Sequence, residues 1–129
     1  MFRLAEQPII AFVPTTEPER ARAFYRDQLG LTLVSDELPF ALVFDVNGVM
    51  LRITAVRDLK PGGYTILGWK IADIRSAVSA MQARGVAFER YPGMEQDDLG
   101  IWTAPGGSAK VAWFRDPDGN TLSLSEHAS

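Results

Sequence analysis

The sequence of 129 residues contains no cysteine and only one histidine. Without cysteine the chain forms no disulfide, no thiolate metal site and no thiol nucleophile. The histidine, His127, lies close to the C-terminus, in a stretch that we expect to fray. One chain therefore cannot assemble a Ser-His-Asp triad or a paired-histidine metal centre, and any metal would need mostly oxygen ligands.

An excess of positive charge and long apolar runs are lacking as well. The chain has 13 Lys and Arg residues against 16 Asp and Glu residues, a formal net charge of -3. Such a chain has little with which to neutralise phosphates or anionic lipids. It also has no apolar run long enough to cross a bilayer and no signal-peptide pattern at its N-terminus. We therefore expect a cytoplasmic protein that binds neither nucleic acid nor membrane.

The composition is that of a folded protein, 47% hydrophobic and 22% charged, which predicts a single domain over residues 1–129. The first half reads as βαβββ. An apolar run at 8–13 predicts a strand, and residues 15–30 predict a helix that opens with a capping box of Thr16 and Glu19. Three more strands are predicted over 31–36, 40–46 and 49–56, the last two joined by a hairpin at Asn47-Gly48.

The second half repeats the βαβββ order. A strand at 65–71 precedes a helix that Asp73 caps and Gly85 ends. Three further strands are predicted over 86–91, 110–116 and 120–126, the last two joined by the turn DPDGN. The two modules span about 8–56 and 64–125, and the second contains a loop insertion at about 92–108. Long loops on compact domains are often functional.

Two tandem βαβββ units, with AFYRDQLGL after the first strand and AWFRDPDGN before the last, resemble the vicinal oxygen chelate superfamily. That superfamily includes glyoxalase I, extradiol dioxygenases and bleomycin-resistance proteins. The resemblance runs from about residue 10 to residue 125 and implies an α+β fold in which each unit curls a mixed sheet into a half-funnel. Catalytic members hold a divalent metal at the centre with His, Glu or Gln from the first and last strands of both units.

The resemblance places the metal-ligand positions on Ile10, Arg52, Ile66 and Ser123. Isoleucine has no donor atom, arginine stays protonated, and one serine hydroxyl cannot hold a divalent ion. The residues one position to either side offer no set of ligands either. We therefore expect no metal and no cofactor, and a closer similarity to the metal-free binding members.

An apolar and aromatic concave face takes the place of the metal centre. Aromatic walls with a few polar groups suit a planar or hydrophobic small molecule, and Trp102, on the inserted loop, is positioned to close over one. The alternative is that these aromatic residues simply fill the core. The candidate ligand-binding residues are Phe12, Phe40, Leu42, Met50, Arg52, Trp102, Trp113, Thr121 and Ser123.

Arg52 is the one cation predicted on this apolar face. A guanidinium there needs a partner, because its desolvation is costly. Two partners remain open, namely an anionic ligand or an internal carboxylate, for which Glu89 and Asp45 are the candidates.

The remaining charged residues carry weaker signals. Glu89, Tyr91 and Arg115 are expected near strand ends in contact with solvent. The run EQDD at 95–98 lacks the alternating spacing of a calcium loop and is expected to be a solvated loop.

Three functions follow from these observations. The leading hypothesis is a metal-independent small-molecule binding protein that takes an aromatic or anionic compound and forms a homodimer, as bleomycin-binding relatives do. The second is an enzyme of the superfamily, a lyase or dioxygenase with displaced metal ligands, whose catalytic residues are unknown apart from a possible acid–base pair of Glu89 and Tyr91. The third is a dimerisation or regulatory module without a ligand.

Overall fold

The computed structural model of the protein describes residues 1–128, and the chain divides into two compact units. The first unit is Met1–Leu59 and the second begins at Lys60. Each unit contains one four-stranded mixed sheet, so the predicted α+β class is confirmed. Within residues 1–128, none of the helices has the length and apolar character needed to span a membrane.

The first unit has the predicted βαβββ order. Its sheet runs β1-β4-β3-β2, with β1 parallel to β4 and the other neighbours antiparallel. Asn47 and Gly48 have φ of 49° and 88°, as the predicted hairpin between β3 and β4 requires. The elements are β1 (Ile10–Thr15), α1 (Pro18–Arg22) with a π-helical continuation (Ala23–Gln28), β2 (Thr32–Glu37), β3 (Ala41–Val46) and β4 (Val49–Ala55).

The helix α1 begins one residue later than the capping box of Thr16 and Glu19 predicts. Glu17 is the N-cap residue, and its side chain makes no capping hydrogen bond. Glu19 instead pairs with Arg22, one turn along the helix. The helix is held by its apolar residues, since Phe24 and Tyr25 are both buried and their rings meet edge to face at 5.1 Å.

The second unit repeats the arrangement with a sheet of order β5-β8-β7-β6. The side chain of Asp73 accepts a hydrogen bond from the Ser76 amide, which confirms the predicted helix cap. Strand β8 extends to His127, whose Nε2 lies 3.0 Å from Ser125 Oγ, so the expectation of fraying at this residue is wrong. The elements are β5 (Thr65–Lys70), α2 (Ile74–Ala83), β6 (Trp102–Thr103), β7 (Ala109–Arg115) and β8 (Thr121–His127).

The strand predicted at 86–91 does not form as one element. Phe88 makes an isolated bridge to Phe114, and the Glu89 amide donates to the Trp113 carbonyl. The rest of this edge of β7 is taken by Trp102 and Thr103, which belong to the inserted segment. Two short pieces of chain therefore share the position that one strand was predicted to occupy.

Each sheet has a core face, defined by its fully buried side chains, and an opposite face. Phe44, Leu51 and Ile53 define the core face of the first sheet, where Phe44 contacts Tyr25 of the π-helical turn. Phe114 and Leu122 define that of the second sheet. The opposite faces carry most of the candidate site residues.

Candidate ligand-binding site

The nine candidate residues fall in both units, and each set is described by itself. The first unit contains Phe12, Phe40, Leu42, Met50 and Arg52, and the second contains Trp102, Trp113, Thr121 and Ser123.

In the first unit, three of the five candidates share the opposite face of the sheet. Phe12 is in register with Arg52, and Met50 lies two residues before Arg52 on the same strand. Leu42 was placed on this face wrongly. It is in register with Ile53, one residue from Arg52, and is fully buried on the core face, because a shift of one residue reverses the side of a sheet. Phe40 precedes β3 and is exposed.

Arg52 has an internal partner, and it is neither Glu89 nor Asp45. Its Nη2 donates to Glu37 Oε1 at 3.1 Å. The two side chains are 27% and 45% exposed, so water solvates much of the pair. The charge of Arg52 is thus compensated without a ligand. The cost of desolvating Arg52 therefore gives no reason to expect an anionic ligand.

The positions at which catalytic relatives hold metal do not fit a metal in this chain. On β1 the residue in register with Arg52 is Phe12 rather than Ile10. On β5 the residue in register with Ser123 is Gly68 rather than Ile66. Neither Phe12 nor Gly68 supplies a side-chain donor. Among residues 1–128 no group of three His, Cys, Asp or Glu side chains is arranged to hold an ion.

In the second unit, all four candidates lie on the opposite face of the sheet. Trp113 is in register with Ser123, Trp102 with Val111, and Thr121 with Arg115. Trp102 belongs to β6 and pairs with β7, so the expectation of a loop residue that closes over a ligand is wrong. The pairing with β7 positions the backbone of Trp102.

Three aromatic rings meet on this face, with Trp113 at the centre. The ring centroids of Tyr91 and Trp113 are 5.6 Å apart at an interplanar angle of 79°, and those of Trp102 and Trp113 are 6.1 Å apart at 43°. We call Tyr91, Trp102 and Trp113 the aromatic cluster. All three rings are half-buried, so each retains surface that another molecule can contact.

Two cavities adjoin the aromatic cluster. The larger, of about 910 Å³, is open to solvent and is lined by Tyr91, Trp102 and the segment 92–97. The smaller, of about 260 Å³, is lined by Tyr64, Tyr91, Trp113 and Thr121. Met94 and Tyr91 line both cavities. Ser123 lines neither and is buried beside Gly68, where an added Cβ would lie 3.0 Å from the serine hydroxyl.

The side-chain amide of Gln96 holds the segment that forms the larger cavity. Its Nε2 donates to the carbonyl oxygens of Glu89 and Gly100 at 2.9 and 2.8 Å, and its Oε1 accepts from the Tyr91 amide at 2.8 Å. These bonds replace a backbone ladder where the predicted strand is interrupted. Gln96 therefore keeps Tyr91 in the aromatic cluster.

The acidic run at 95–98 is an exposed loop, as expected, and two of its carboxylates are also bonded within the protein. Asp97 Oδ1 accepts from the amides of Leu99 and Ile101, and its Oδ2 accepts from Arg75 of α2 at 2.8 Å. Arg75 also donates to both carboxylate oxygens of Asp98. These bonds from Arg75 hold the pKa of Asp98 below its ordinary value.

Glu89 and Tyr91 were the candidate acid–base pair. Glu89 forms an ion pair with Arg115 at 3.0 Å. Burial raises the pKa of Tyr91, and the negative charge of Glu89 raises it further. The tyrosine is therefore protonated at neutral pH, which suits a hydrogen-bond donor or a general acid and not a general base.

Sequence reasoning missed several residues that build this site. Tyr91 was assigned to solvent, and Gln96, Met94 and Tyr64 were not considered for ligand binding. Glu37 was not considered as the partner of Arg52. No local pattern marks these residues, because their roles depend on hydrogen bonds and ring contacts between segments distant in sequence.

Comparisons with known proteins agree with this architecture. A structure of a glyoxalase/bleomycin resistance protein/dioxygenase superfamily member from Sphaerobacter thermophilus is 26% identical, with a TM-score of 0.70 over 94% of this chain and 97% of that one. A glyoxalase family protein from Enterococcus faecalis is 20% identical, with a TM-score of 0.69 over 94% and 98% of the two chains.

A lactoylglutathione lyase from Agrobacterium tumefaciens is 18% identical, with a TM-score of 0.68 over 94% and 93% of the two chains. No curated protein matches significantly. The family model of the Glyoxalase/Bleomycin resistance protein/Dioxygenase superfamily matches residues 8–124, nearly the whole sequence. The chain therefore belongs to the Glyoxalase/Bleomycin resistance protein/Dioxygenase superfamily.

Proposed function

We propose that the protein binds an aromatic small molecule, without a metal, at the aromatic cluster of its second unit. The observation that carries this proposal is the meeting of Tyr91, Trp102 and Trp113 beside cavities of about 910 and 260 Å³. Stacked and edge-to-face rings bind planar molecules with little loss of side-chain entropy. Cavities of this size range accommodate drug-sized ligands.

The binding residues in this proposal are Trp102, Trp113 and Thr121 from the sequence analysis, with Tyr91 and Met94 added. Arg52 and Leu42 are left out, since Arg52 is paired with Glu37 and Leu42 is in the core. The ligand is therefore proposed to be aromatic, and Arg52 gives no reason for it to be anionic.

Metal independence rests on residue chemistry, because Ile10, Arg52, Ile66 and Ser123 and their strand partners provide no set of donors. The test is elemental analysis of the purified protein, followed by titration of two-ring and three-ring aromatic compounds before and after dialysis against a chelator. We expect no stoichiometric transition metal and unchanged affinity. One tightly held metal per chain, or binding that the chelator abolishes, would contradict the proposal.

The enzymatic alternative receives less support from the site. The carboxylate of its candidate pair, Glu89, is already engaged by Arg115. Turnover of a glyoxalase or extradiol dioxygenase substrate by the purified protein would support the alternative that the protein is an enzyme.

We also propose that the chain forms a homodimer. The opposite face of the first sheet exposes apolar side chains that include Ile10, Phe12 and Met50, with Phe12 61% exposed. Contiguous apolar surface of this kind is often covered by a partner, and a second copy is the simplest one. Light scattering at micromolar concentration tests this, since a mass near 14.2 kDa would contradict it and twice that mass is expected.

A further inference from the structure

The larger cavity combines aromatic and acidic side chains in one lining. Its lining residues include the aromatic Tyr91 and Trp102 and the acidic Glu95 and Asp97. Among the described residues that line this cavity there is no lysine and no arginine. The charged residues of the lining are therefore both acidic, and Asp97 is paired with Arg75.

Several amide donors of the lining are already engaged within the protein. Both donor contacts of the Gln96 amide go to the carbonyl oxygens of Glu89 and Gly100. The backbone amide of Met94 donates to the Tyr91 carbonyl, and that of Asp97 donates to the Ile101 carbonyl. A ligand with negative charge would meet the carboxylate of Glu95, with the Tyr91 hydroxyl and the Trp102 indole N–H as neutral donors. A ligand with positive charge would meet the same carboxylate as an attractive partner.

Nearby arginines compensate Asp97 but not Glu95. Arg75 pairs with both Asp97 and Asp98. Arg115 pairs with Glu89. Arg90 donates to the backbone carbonyl of Asp98. Glu95 makes no ion pair within residues 1–128. Its carboxylate is the uncompensated charge at the cavity.

We propose that this site selects a cationic aromatic molecule, a planar ring that carries a quaternary or protonated nitrogen. The inference rests on the proposed function and adds the charge of the ligand to it. The electron-rich faces of tryptophan and tyrosine attract a cation, and a nearby carboxylate adds to that attraction. Because the cavity is open to solvent, the added affinity is modest and sensitive to salt.

The test uses three bicyclic probes of similar size and different charge. N-methylquinolinium is cationic, 2-methylquinoline is neutral in mildly alkaline buffer, and naphthalene-2-carboxylate is anionic. Affinities are measured by calorimetry at low and high salt, with wild-type protein and the Trp102→Ala variant. We expect the cation to bind about fivefold more tightly than the neutral probe, high salt to reduce that advantage, and Trp102→Ala to weaken both.

Matched charge variants separate the cavity from the overall charge of the protein. Glu95→Gln is expected to weaken binding of N-methylquinolinium by about threefold, the scale of one exposed charge contact, and to leave 2-methylquinoline unchanged. Glu6→Gln, in the first unit, changes the net charge equally and is expected to leave all three affinities unchanged. Trp102→Phe replaces Trp102→Ala if circular dichroism shows that the alanine variant is unfolded.

The outcomes distinguish the two proposals. If the neutral or anionic probe binds as tightly as the cation and binding depends on Trp102, the charge inference is overturned and the aromatic site stands. If Glu6→Gln weakens the cation as much as Glu95→Gln does, the charge inference is also overturned. If no probe binds in a manner that depends on Trp102, the proposed function fails and the inference fails with it.

Discussion

Arg52 on β4 donates to Glu37 on β2 at 3.1 Å, across the intervening strand β3. Both side chains are partly exposed, so the pair belongs to the class of solvated ion pairs that contribute little to stability. This relationship changes what a substitution of Arg52 is expected to do.

The variant Arg52→Met should change the free energy of unfolding by less than about 1 kcal/mol, because water solvates the carboxylate that Glu37 leaves behind. Aromatic probes should bind with unchanged affinity, since Arg52 lies outside the proposed site. Urea denaturation of Arg52→Met, Glu37→Gln and the double variant measures the pair directly. A loss of about 3 kcal/mol or more in Arg52→Met would mean that the pair is a buried one.

Trp113 and Trp69 form a matched pair of substitutions in the second unit. Trp113 lies in the aromatic cluster, whereas Trp69 stacks on the core residue Phe114 with ring centroids 6.3 Å apart. Trp113→Ala should weaken binding of an aromatic probe by about tenfold, close to 1.4 kcal/mol. Trp69→Ala should lower the free energy of unfolding by about 2 kcal/mol and leave the affinity of the folded protein unchanged.

Calorimetric titration and thermal melting of both variants decide between a binding and a packing role. The opposite pattern, in which Trp113→Ala only loses stability and Trp69→Ala only loses affinity, would remove Trp113 from the proposed site.

Gln96 is expected to be essential for the shape of the larger cavity. Gln96→Leu has a similar volume but leaves the Tyr91 amide and two carbonyl oxygens without the partners that they have now. We expect a loss of about 1 to 3 kcal/mol in the free energy of unfolding, together with faster hydrogen exchange at the Tyr91 amide. Exposed Gln82 on α2 provides the control, because Gln82→Leu removes no such bonds. Equal exchange rates at Tyr91 in the two variants would show that Gln96 does not hold the segment.

The contact of Arg75 with Asp98 predicts a pH dependence. Hydrogen bonds from Arg75 lower the pKa of Asp98 in the folded protein, so the unfolded chain binds the proton more readily. The pair therefore stabilises the folded state fully above the ordinary aspartate pKa, and this contribution is lost as the pH falls toward the lowered value.

Titration of the Asp98 carboxyl by NMR measures this effect. In Arg75→Gln its pKa should rise toward the ordinary value, while Arg20→Gln, which removes an exposed ion pair in the first unit, should leave it unchanged. An Asp98 pKa that is the same in wild type and Arg75→Gln would contradict the assigned cause.

The sequence by itself determined the features that depend on short stretches of chain or on residue chemistry. Apart from the strand predicted at 86–91, the two βαβββ repeats follow from apolar periodicity and from turns such as Asn47-Gly48, whose φ values local residues dictate. The absence of donor atoms at Ile10 and Ile66 is likewise a property of the residues, whatever their exact register.

The tertiary structure alone decided which groups meet. Leu42 lies on the core face because the register of β3 against β4 is set by pairing over the whole sheet. Arg52 pairs with Glu37 because strands β4 and β2 bring the two side chains together. The ring of Tyr91 contacts that of Trp113, and the side chain of Gln96 accepts a hydrogen bond from the Tyr91 amide. These contacts join residues through side-chain hydrogen bonds and strand register, which no local pattern of residues encodes.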